Sequence, residues 1–499
     1  MSGFSDIKGF FKRNWFKIII SIYLLSRIIN LMSLPIFNDE AIWIDWGNKL
    51  KLGLVPLFYS LYDGKPPLHF VFISIFMIFI KNPLLAGRLV SVLAGVFSLI
   101  AIKNISKLFF EEKYVFLSCL IFLISPMILF YDRQALQESI LTAEICWIIY
   151  FSIKYFDSLK LKYALYLSLT LALSFYTKIS ILIIFIPIFI LFLYNIVKEK
   201  EKRNIIFSGI SVVIFVFILL ISPLILQEQS KLMFTRNDRY SITLNDLNQG
   251  IFNIWFLNVS KITRIIFWYF NILIFFISVT LILFYKKHLE NKYFIFIIFS
   301  LPIIILIVIS RGILERYLVP FTIPLIFISA KGIEYILVRY GKLVLLLLFI
   351  PITISLYQIF YIDNYLSSVN LYAKGLDLYG YSGGFTAGYG VREAILYIES
   401  LEKDYKKIIV GVRVDAGNPE SAVMAYFLED KNARVVPVYF DSQVTKIPLD
   451  ENFIGNYYPF YFISREDNLA GMNKYLTEEK RFYQPDGKSF VGIYKYIKQ

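Results

Sequence analysis

The chain has 499 residues, of which 58% are hydrophobic and 18% aromatic, and its formal net charge is +14. The core of a soluble domain cannot bury so much apolar mass, so the composition excludes an ordinary soluble protein. The positive charge does not indicate a nucleic-acid partner, because membrane proteins collect Lys and Arg in their cytoplasmic loops. Cys119 and Cys146 lie in apolar segments, so the sequence gives no sign of a disulfide framework.

Long apolar runs before residue 362 predict a polytopic α-helical membrane protein with about eleven transmembrane helices. Runs such as 179–197 and 205–226 contain no charged residue over a length that crosses ~30 Å of hydrocarbon as a helix. The stretch 68–80 is shorter than the ~20 residues that a crossing needs, so we predict a juxtamembrane or re-entrant helix there. The predicted spans lie near residues 16–34, 84–102, 114–130, 139–153, 163–177, 179–197, 205–226, 264–285, 293–310, 316–330 and 343–361.

The charges of the connecting loops predict how the chain is oriented in the cell membrane. With a cytoplasmic N-terminus, every predicted inner loop contains Lys or Arg, as the positive-inside rule requires. These inner loops are 103–113, 154–162, 198–204, 286–292 and 331–342. Counting 68–80 as a full span would place most of them outside. The odd number of spans then makes the C-terminal region extracytoplasmic, together with the outer segments 35–83, 131–138, 227–263 and 311–316 and the tight turn at residue 178.

Residues 362–499 are predicted to form a soluble extracytoplasmic α/β domain, separate from the membrane domain of residues 1–361. Glycines and charged residues recur after Tyr361, and no apolar run of spanning length remains. Asn418 and Pro419 are expected to supply the cap and the first-turn proline of a helix. The glycine-rich segment 383–390 is typical of a turn and only a weak sign of an anion site. The pattern predicts a further helix at 391–403 and strands at 407–413, 434–440, 459–464 and 489–496.

The unusual charged residues of the membrane domain gather in its predicted outer segments. Charges this close to hydrocarbon are expensive unless they pair or line an aqueous cavity. Snorkelling to the interface and ordinary solvation in a loop are the alternative interpretations. The cations are Lys65, Arg133, Lys178 and Arg316, and the acids are Asp39, Glu40, Asp63, Asp132 and Glu138.

This combination of side chains indicates group transfer from a lipid phosphate. Arg binds a phosphate through a bidentate fork and Lys binds it as a point charge, while a separate carboxylate suits proton abstraction from a hydroxyl. A transporter or flippase of lipid-linked sugars is the alternative, but it would place polar residues at mid-bilayer in broken or repeated helices. A receptor or scaffold would leave the loop cations unexplained.

Five short motifs in chain order resemble the family-39-like glycosyltransferases of the GT-C superfold, which include the protein O-mannosyltransferases and the bacterial aminoarabinose transferases of lipid A. The resemblance covers roughly residues 10–360. The motifs are DE at 39–40, KPPL at 65–68, R-x-A-x-x-E at 133–138, TK at 177–178 and ERYLVP at 315–320.

The resemblance implies an inverting transferase that moves a sugar from a polyprenyl- or dolichyl-phosphate donor to an acceptor on the non-cytoplasmic side. By position, Asp39 would be the catalytic base, Glu40 would help to place the acceptor or shape the site, and Glu138 would be the second acid. The acceptor can be a glycan, a lipid or a protein. The donor phosphate would be held by Lys65, Arg133, Lys178 and Arg316, and further candidates for substrate binding are Tyr62, Asp63, Tyr131, Asp132 and Tyr317.

The sequence also departs from the family pattern. Gly64 separates Asp63 from Lys65, so the acid is one residue further away than in an EKPP pattern. His69 and His288 are the only histidines of the chain, so the His-containing metal site of some relatives cannot be assembled, although carboxylates alone could bind Mg²⁺ or Mn²⁺. The C-terminal domain does not resemble the β-trefoil of the protein mannosyltransferases, which leaves a protein acceptor unsupported.

The predicted outer loop 227–263 has two interpretations. It contains several charged and aromatic residues and no apolar run of spanning length, which fits a mobile cover over the site. An ordinary surface loop fits equally well. The residues that drew attention to it are Arg236, Asp238, Arg239 and Tyr240.

Overall fold

The computed structural model places the chain in two compact units. The first unit comprises Met1–Asn30, Leu57–His69 and Ser91–Phe360. The second comprises Leu31–Pro56, Phe70–Val90 and Tyr361–Gln499, so it takes in two segments of the predicted first outer loop. The structure describes residues 2–236, 240–243, 245–246, 250–266, 293–372, 379–405, 407–413, 416–438, 459–466, 469 and 475–497.

The chain before Tyr361 is helical wherever the structure describes regular elements. Helix Leu161–Thr177 packs against both Glu138–Ser158 and Arg203–Ile225. Short 3₁₀ segments continue several helices, for example at Ile179–Ile184 and Lys342–Leu348. The α-helices are Ser2–Ile28, Asn38–Lys51, Leu68–Phe79, Pro83–Phe109, Val115–Ile124, Pro126–Asp132, Glu138–Ser158, Leu161–Thr177, Phe185–Lys198, Arg203–Ile225, Leu232–Thr235, Ile251–Ile265, Phe294–Ile309, Glu315–Leu318, Ile323–Tyr340 and Phe349–Phe360.

Among the described residues, five helices are long and apolar enough to cross a bilayer. Helices Glu112–Ile124 and Pro126–Asp132 meet at 62° and could form a sixth, broken span. Pro126 explains the break, because proline disfavours a helical conformation at the residue before it. The five are Pro83–Phe109, Glu138–Ser158, Ile179–Lys198, Lys200–Ile225 and Glu315–Tyr340.

The predicted number of about eleven spans stays a prediction. Several other predicted spans are apolar helices that fall short of spanning length, such as Phe294–Ile309 and Phe349–Phe360. The predicted span 264–285 lies outside the described residues except for its first three. The short helix expected at 68–80 is confirmed as Leu68–Phe79.

Lipid-facing surface supports the assignment to a membrane. Only 22% of the apolar window of Lys200–Ile225 is buried within the protein, and 33% of that of Ile179–Lys198. Phe215 and Leu219 on the first of these helices are largely exposed. A contiguous apolar surface of this kind would cause aggregation in water, so the chain is a multi-pass membrane protein.

The C-terminal part of the second unit contains a five-stranded mixed sheet, which confirms a small α/β domain. Its strands are β1 Ile408–Arg413, β2 Ala433–Val438, β3 Phe460–Arg465, β4 Leu476–Tyr483 and β5 Phe490–Tyr496. The strand order is β2-β1-β3-β5-β4. Strand β1 runs parallel to β2 and β3, whereas β5 is antiparallel to β3 and β4. Ile409, Phe460 and Phe462 are among the buried residues of its core. The helices of this part are Ile362–Tyr372, Tyr379–Ser382, Val391–Leu401 and Glu420–Phe427.

Two details of this domain differ from the sequence prediction. Strand β4 was not predicted, because its sequence LTEEKRFY is charged and lacks alternating apolar residues, as suits the exposed edge of a sheet. Asn418 does not cap the following helix. Pro419 occupies the N-cap position of Glu420–Phe427, and the Asn418 side chain bonds elsewhere. The last two residues of the strand predicted at 434–440 lie outside the described residues.

The described part of the loop 227–263 is tied to the segment that precedes Glu315. Ser241 and Ser310 form an antiparallel bridge, and the Ile242 N–H donates to the Ile309 carbonyl at 2.9 Å. The Arg311 guanidinium donates to Asp246 Oδ1 at 2.8 Å. Asp238 and Arg239 lie outside the described residues. The function of this loop as a cover stays a prediction.

Acid is expected to loosen this attachment. The hydrogen bond from Arg311 lowers the pKa of Asp246 to about 2, because it favours the ionised carboxylate. A group whose pKa is lower in the folded state stabilises the fold at pH values above its pKa in the unfolded chain, which is about 3.9 for Asp. This contribution is lost as the pH falls toward 2. Cleavage within 227–263 by an acid-active protease should therefore accelerate from about pH 4 downwards. Asp246→Asn should be cut rapidly even at higher pH, and a wild-type profile for this variant would contradict the expectation.

Candidate functional site

Lys178 and Glu138 form an ion pair at the adjoining ends of two helices. Lys178 follows the last residue of Leu161–Thr177 in an extended conformation, with φ −160° and ψ 131°. Its Nζ donates to Glu138 Oε1 at 2.8 Å. Glu138 is 3% exposed and begins helix Glu138–Ser158, whose N-terminal partial charge favours a carboxylate. Glu138 is therefore nearly removed from solvent and depends on nearby cations for charge compensation, whereas the Lys178 side chain stays 18% exposed.

Two residues of the ERYLVP motif join this pair. Lys178 Nζ lies 5.0 Å from the centre of the Tyr317 ring, and the Arg316 guanidinium carbon lies 5.8 Å from the same ring. Arg316 also attracts the Glu138 carboxylate. We call Glu138, Lys178, Arg316 and Tyr317 the Lys178 cluster. Lys and Arg are the side chains that bind phosphate in proteins, so the cluster is suited to an anion.

A second layer of hydrogen bonds fixes the backbone that carries Lys178. Gln137 Nε2 donates to the Thr177 carbonyl at 2.7 Å, and Thr177 Oγ1 donates to Glu144 Oε1 at 2.8 Å. Thr177 is fully buried. These contacts hold the turn in one conformation, so Lys178 is presented at a defined place.

Arg133 binds the end of the first helix. Its Nη1 donates to the Ser26 carbonyl at 3.1 Å and its Nη2 to the Asn30 carbonyl at 2.7 Å. The Ser26 carbonyl lies in the last turn of helix Ser2–Ile28 and that of Asn30 lies just beyond it, so the cation complements the helix dipole. The structure thus gives Arg133 a packing role, and phosphate binding by this residue stays a prediction.

Asp132 and Tyr131 are buried beside Arg133. Asp132 accepts hydrogen bonds from the Tyr23 hydroxyl at 2.7 Å and from Ser139 Oγ at 3.0 Å. The Arg27 Nε lies 3.5 Å from the same carboxylate. This network connects the first helix with the end of Pro126–Asp132, and substrate contact by either residue stays a prediction.

Lys65 lies in a separate charged group of the first unit. Its Nζ is 2.9 Å from Asp63 Oδ2, and Asp63 also accepts from Arg236. Gly64 between them has a φ of +70°, and a Cβ there would lie 2.5 Å from the Leu232 carbonyl. The glycine that departs from the EKPP pattern is thus required by the close approach of another chain segment. Tyr62 is 55% exposed, and Gln229 donates to its hydroxyl at 3.4 Å.

In the second unit, Glu40 forms a fully buried bidentate pair with Arg88. The Arg88 Nε donates to Glu40 Oε1 at 2.9 Å and its Nη2 donates to Oε2 at 2.8 Å. Its remaining donors bind backbone carbonyls of residues 31, 34 and 35. Glu40 Oε2 also accepts the Phe37 N–H at 2.9 Å, which completes the first turn of helix Asn38–Lys51. Asp39 precedes Glu40 on this turn and is partly exposed.

Sequence analysis missed Arg88 and Glu144. Both are single charges inside runs that we predicted as spans, at 84–102 and 139–153. A charge within such a run is expensive unless it is paired, and this signal could have found both.

Arg88→Met is expected to lower the free energy of unfolding by about 3 kcal/mol or more, because it leaves the Glu40 carboxylate buried without its cation. Adding Glu40→Gln should restore only part of the loss, since the backbone carbonyls bound by Arg88 stay unsatisfied. Thermal unfolding in detergent measures both variants. Arg481→Met is the matched control, because its pair with Glu478 is partly exposed and should contribute under about 1 kcal/mol. Equal effects of Arg88→Met and Arg481→Met would contradict the expectation.

A divalent cation has no assigned ligands in this site. Among the residues that the structure describes, no group of three or more His, Cys, Asp or Glu side chains could hold a metal ion. The Glu138 carboxylate is already bound by Lys178. Binding of Mg²⁺ or Mn²⁺ therefore stays a prediction without candidate residues.

Comparisons with known proteins find one family model and several solved structures that are similar to this chain. A family model described as dolichyl-phosphate-mannose-protein mannosyltransferase matches residues 64–226, which include Lys65, Arg133, Glu138 and Lys178. No curated protein sequence matches the chain significantly.

Solved structures show the same fold. ArnT from Cupriavidus metallidurans in the apo state is similar at a TM-score of 0.61 and 12% identity, over 96% of this chain and 98% of that chain. The same values hold for that protein bound to undecaprenyl phosphate. The Archaeoglobus fulgidus oligosaccharyltransferase in the apo form is similar at a TM-score of 0.54 and 12% identity, over 98% of this chain and 75% of that chain.

Proposed function

We propose that this chain, a membrane protein with the GT-C glycosyltransferase fold, moves a sugar from a polyprenyl- or dolichyl-phosphate donor to an acceptor with inversion at the sugar. The observation that carries the proposal is the Lys178 cluster, in which two cations meet one buried carboxylate beside an aromatic ring. Glu138 and Lys178 of this cluster lie within the part of the chain that matches the mannosyltransferase family. The same-fold protein from Cupriavidus metallidurans binds undecaprenyl phosphate, which supports a polyprenyl carrier here.

Lys178 and Arg316 bind the donor phosphate in this mechanism. Lys178 has three N–H donors and uses one for Glu138, so two remain for phosphate oxygens. The bond between the anomeric carbon and the phosphate oxygen breaks, and its electron pair stays on the departing lipid phosphate. Because negative charge grows on that oxygen, cations fixed in place stabilise the transition state more than the bound donor.

Asp39 supplies the base. The acceptor hydroxyl attacks the anomeric carbon from the face opposite the leaving phosphate, and its proton passes to the Asp39 carboxylate. Partial exposure of Asp39 is compatible with access by an acceptor. Glu40 does not place the acceptor in this scheme, because both its oxygens are bound by Arg88. Its part is to hold the turn that carries Asp39.

The reaction takes place on the extracytoplasmic side. The basic loops 103–113, 154–162 and 198–204 support a cytoplasmic N-terminus and an extracytoplasmic C-terminal domain. The donor reaches the site from the surrounding bilayer, and the acceptor can be a glycan, a lipid or a protein. Neither the family match nor the structural neighbours support the transporter alternative.

The deciding experiment follows the donor lipid. Purified protein in detergent is incubated with a panel of polyprenyl-phosphate sugars and membrane glycolipid extract, and free lipid phosphate is measured over time. A transferase releases lipid phosphate in step with loss of sugar from the donor. Redistribution of an intact donor across reconstituted vesicles, without release of lipid phosphate, would instead favour a flippase and overturn the proposal.

A further inference from the structure

Two turns in the C-terminal part of the second unit are bound to the backbone around Asp39. The first is the glycine-rich turn 383–390 and the second is the turn 416–419, and the proposed mechanism uses neither. The Asn38 N–H donates to the Thr386 carbonyl at 3.0 Å. The Asn38 side chain contacts the second turn, because its Oδ1 accepts the Asn418 N–H at 2.9 Å. The residue next to Asp39 is therefore bonded to both turns.

Asn418 makes the most complete connection. It is fully buried, and its Nδ2 donates to the Ile36 carbonyl at 2.9 Å. The same amide lies 3.4 Å from the carbonyls of Thr386 and Ala387, so it joins the two turns to each other. This use of its side chain explains why Asn418 does not cap the helix that follows it.

Glycine is needed at both turns because the chains approach so closely. A Cβ on Gly388 would lie 2.1 Å from the Ile36 carbonyl oxygen, closer than any real contact. A Cβ on Gly417 would lie 2.0 Å from Asn38 Oδ1, and the φ of this glycine is +106°. Both positions therefore require glycine, because only a residue without a side chain lets the two turns contact residues 36–38 so closely.

The same short segment is also fixed by contacts within the second unit that do not involve the two turns. The Phe37 ring stacks on Tyr381 at 4.1 Å between ring centres. The ion pair with Arg88 holds Glu40, which is the residue that follows Asp39. Asp39 thus lies between two residues, Asn38 and Glu40, whose side chains are both bonded, and its backbone has little freedom.

We propose that the C-terminal domain positions Asp39 for catalysis, with Asn418, Gly388 and Gly417 as positioning residues. The inference rests on the proposed function and assigns a role to this domain. A reacting group that is displaced by about 1 Å can lose on the order of 10²-fold in rate, so a domain that fixes the base has a measurable kinetic effect. In this scheme Asp39 itself contacts the acceptor, and the three positioning residues act only by holding Asp39 in place.

The test uses Asn418→Ala in the full-length protein, with Asn432→Ala as the matched control because Asn432 is exposed on the same domain. Hydrogen exchange of the peptide covering residues 36–41 reports on the attachment without reference to activity. It should accelerate in Asn418→Ala and stay at the wild-type rate in Asn432→Ala. Release of lipid phosphate should show a kcat about 10²-fold lower for Asn418→Ala, with the KM for the donor little changed.

A milder variant tests whether the effects of Asn418→Ala come from a folding defect. Asn38→Ala removes only the acceptor of the Asn418 N–H and should show the same two effects at smaller size. Unchanged exchange in both variants, or faster exchange with an unchanged kcat, would overturn the inference. Absence of transfer by the wild-type protein would overturn the proposed function instead, while the exchange measurement would still decide whether the two turns hold residues 36–41.

Discussion

Lys178→Met is expected to reduce release of lipid phosphate from the donor by about 10²- to 10³-fold, the usual effect of removing one fixed group that stabilises developing charge. Methionine keeps an unbranched side chain that is only one heavy atom shorter, and it removes the charge. The loss should appear mainly in kcat, because the charge on the phosphate oxygen grows only as the glycosyl bond breaks. Steady-state kinetics with a polyprenyl-phosphate sugar measures it.

The same substitution should also destabilise the protein, and this effect can be separated from catalysis. Glu138 is left buried without its hydrogen-bonded cation, at a cost of about 3 kcal/mol, because only the attraction of Arg316 remains. The double variant Lys178→Met with Glu138→Gln removes that unpaired charge, so it should regain stability and remain inactive. Lys113→Met is the control, because its pair with Glu111 has the same 2.8 Å distance but is solvent-exposed. Recovery of transfer by the double variant would mean that Lys178 only balances Glu138.

Asp39→Asn is expected to lower kcat by about 10²- to 10⁴-fold, the range that a general base contributes. Asparagine keeps the size of the side chain but cannot accept the proton of the acceptor hydroxyl. Binding of the donor should be unaffected, because the cations of the Lys178 cluster are intact. Measuring donor affinity and turnover on the same preparation distinguishes the two steps.

Asp45→Asn provides a matched control on the same helix. Asp45 accepts from Lys49 at 2.7 Å, and burial raises the pKa of Asp45 to about 6. Removing this carboxylate changes the charge of the helix by the same amount as Asp39→Asn, yet turnover should change little. Transfer retained by Asp39→Asn, or lost equally in both variants, would remove Asp39 from the role of base.

Much of the architecture could be predicted from sequence because hydrophobic length is a strong signal. Apolar runs and basic loops predict a polytopic membrane protein, and the change in composition after Tyr361 predicts a small α/β domain. Edge strand β4 could not be found in this way, since the residues that protect an edge are charged and resemble a loop. The break before Pro126 shows a further limit, because one apolar run can form two helices that meet at a sharp angle.

The candidate site was harder to predict, because sequence shows which charges are unusual but not how they pair. The structure brings Lys178 and Arg316 close to Glu138, and their role in binding the donor stays a prediction. Glu40 stood out for the same reason as Asp39, yet the structure gives it a buried partner in Arg88. Asn418 was interpreted as a helix cap, since a short-range pattern cannot reveal a bond to residue 36, far away along the chain.

The cations of the Lys178 cluster have a consequence for turnover. The donor is a phosphodiester with one negative charge, whereas the departing lipid phosphate is a monoester that can carry up to one more. Cations that stabilise the growing charge therefore attract the spent carrier more strongly than the donor. Released lipid phosphate is thus expected to compete with fresh donor for the cluster, so its departure into the bilayer limits how fast the next cycle can begin.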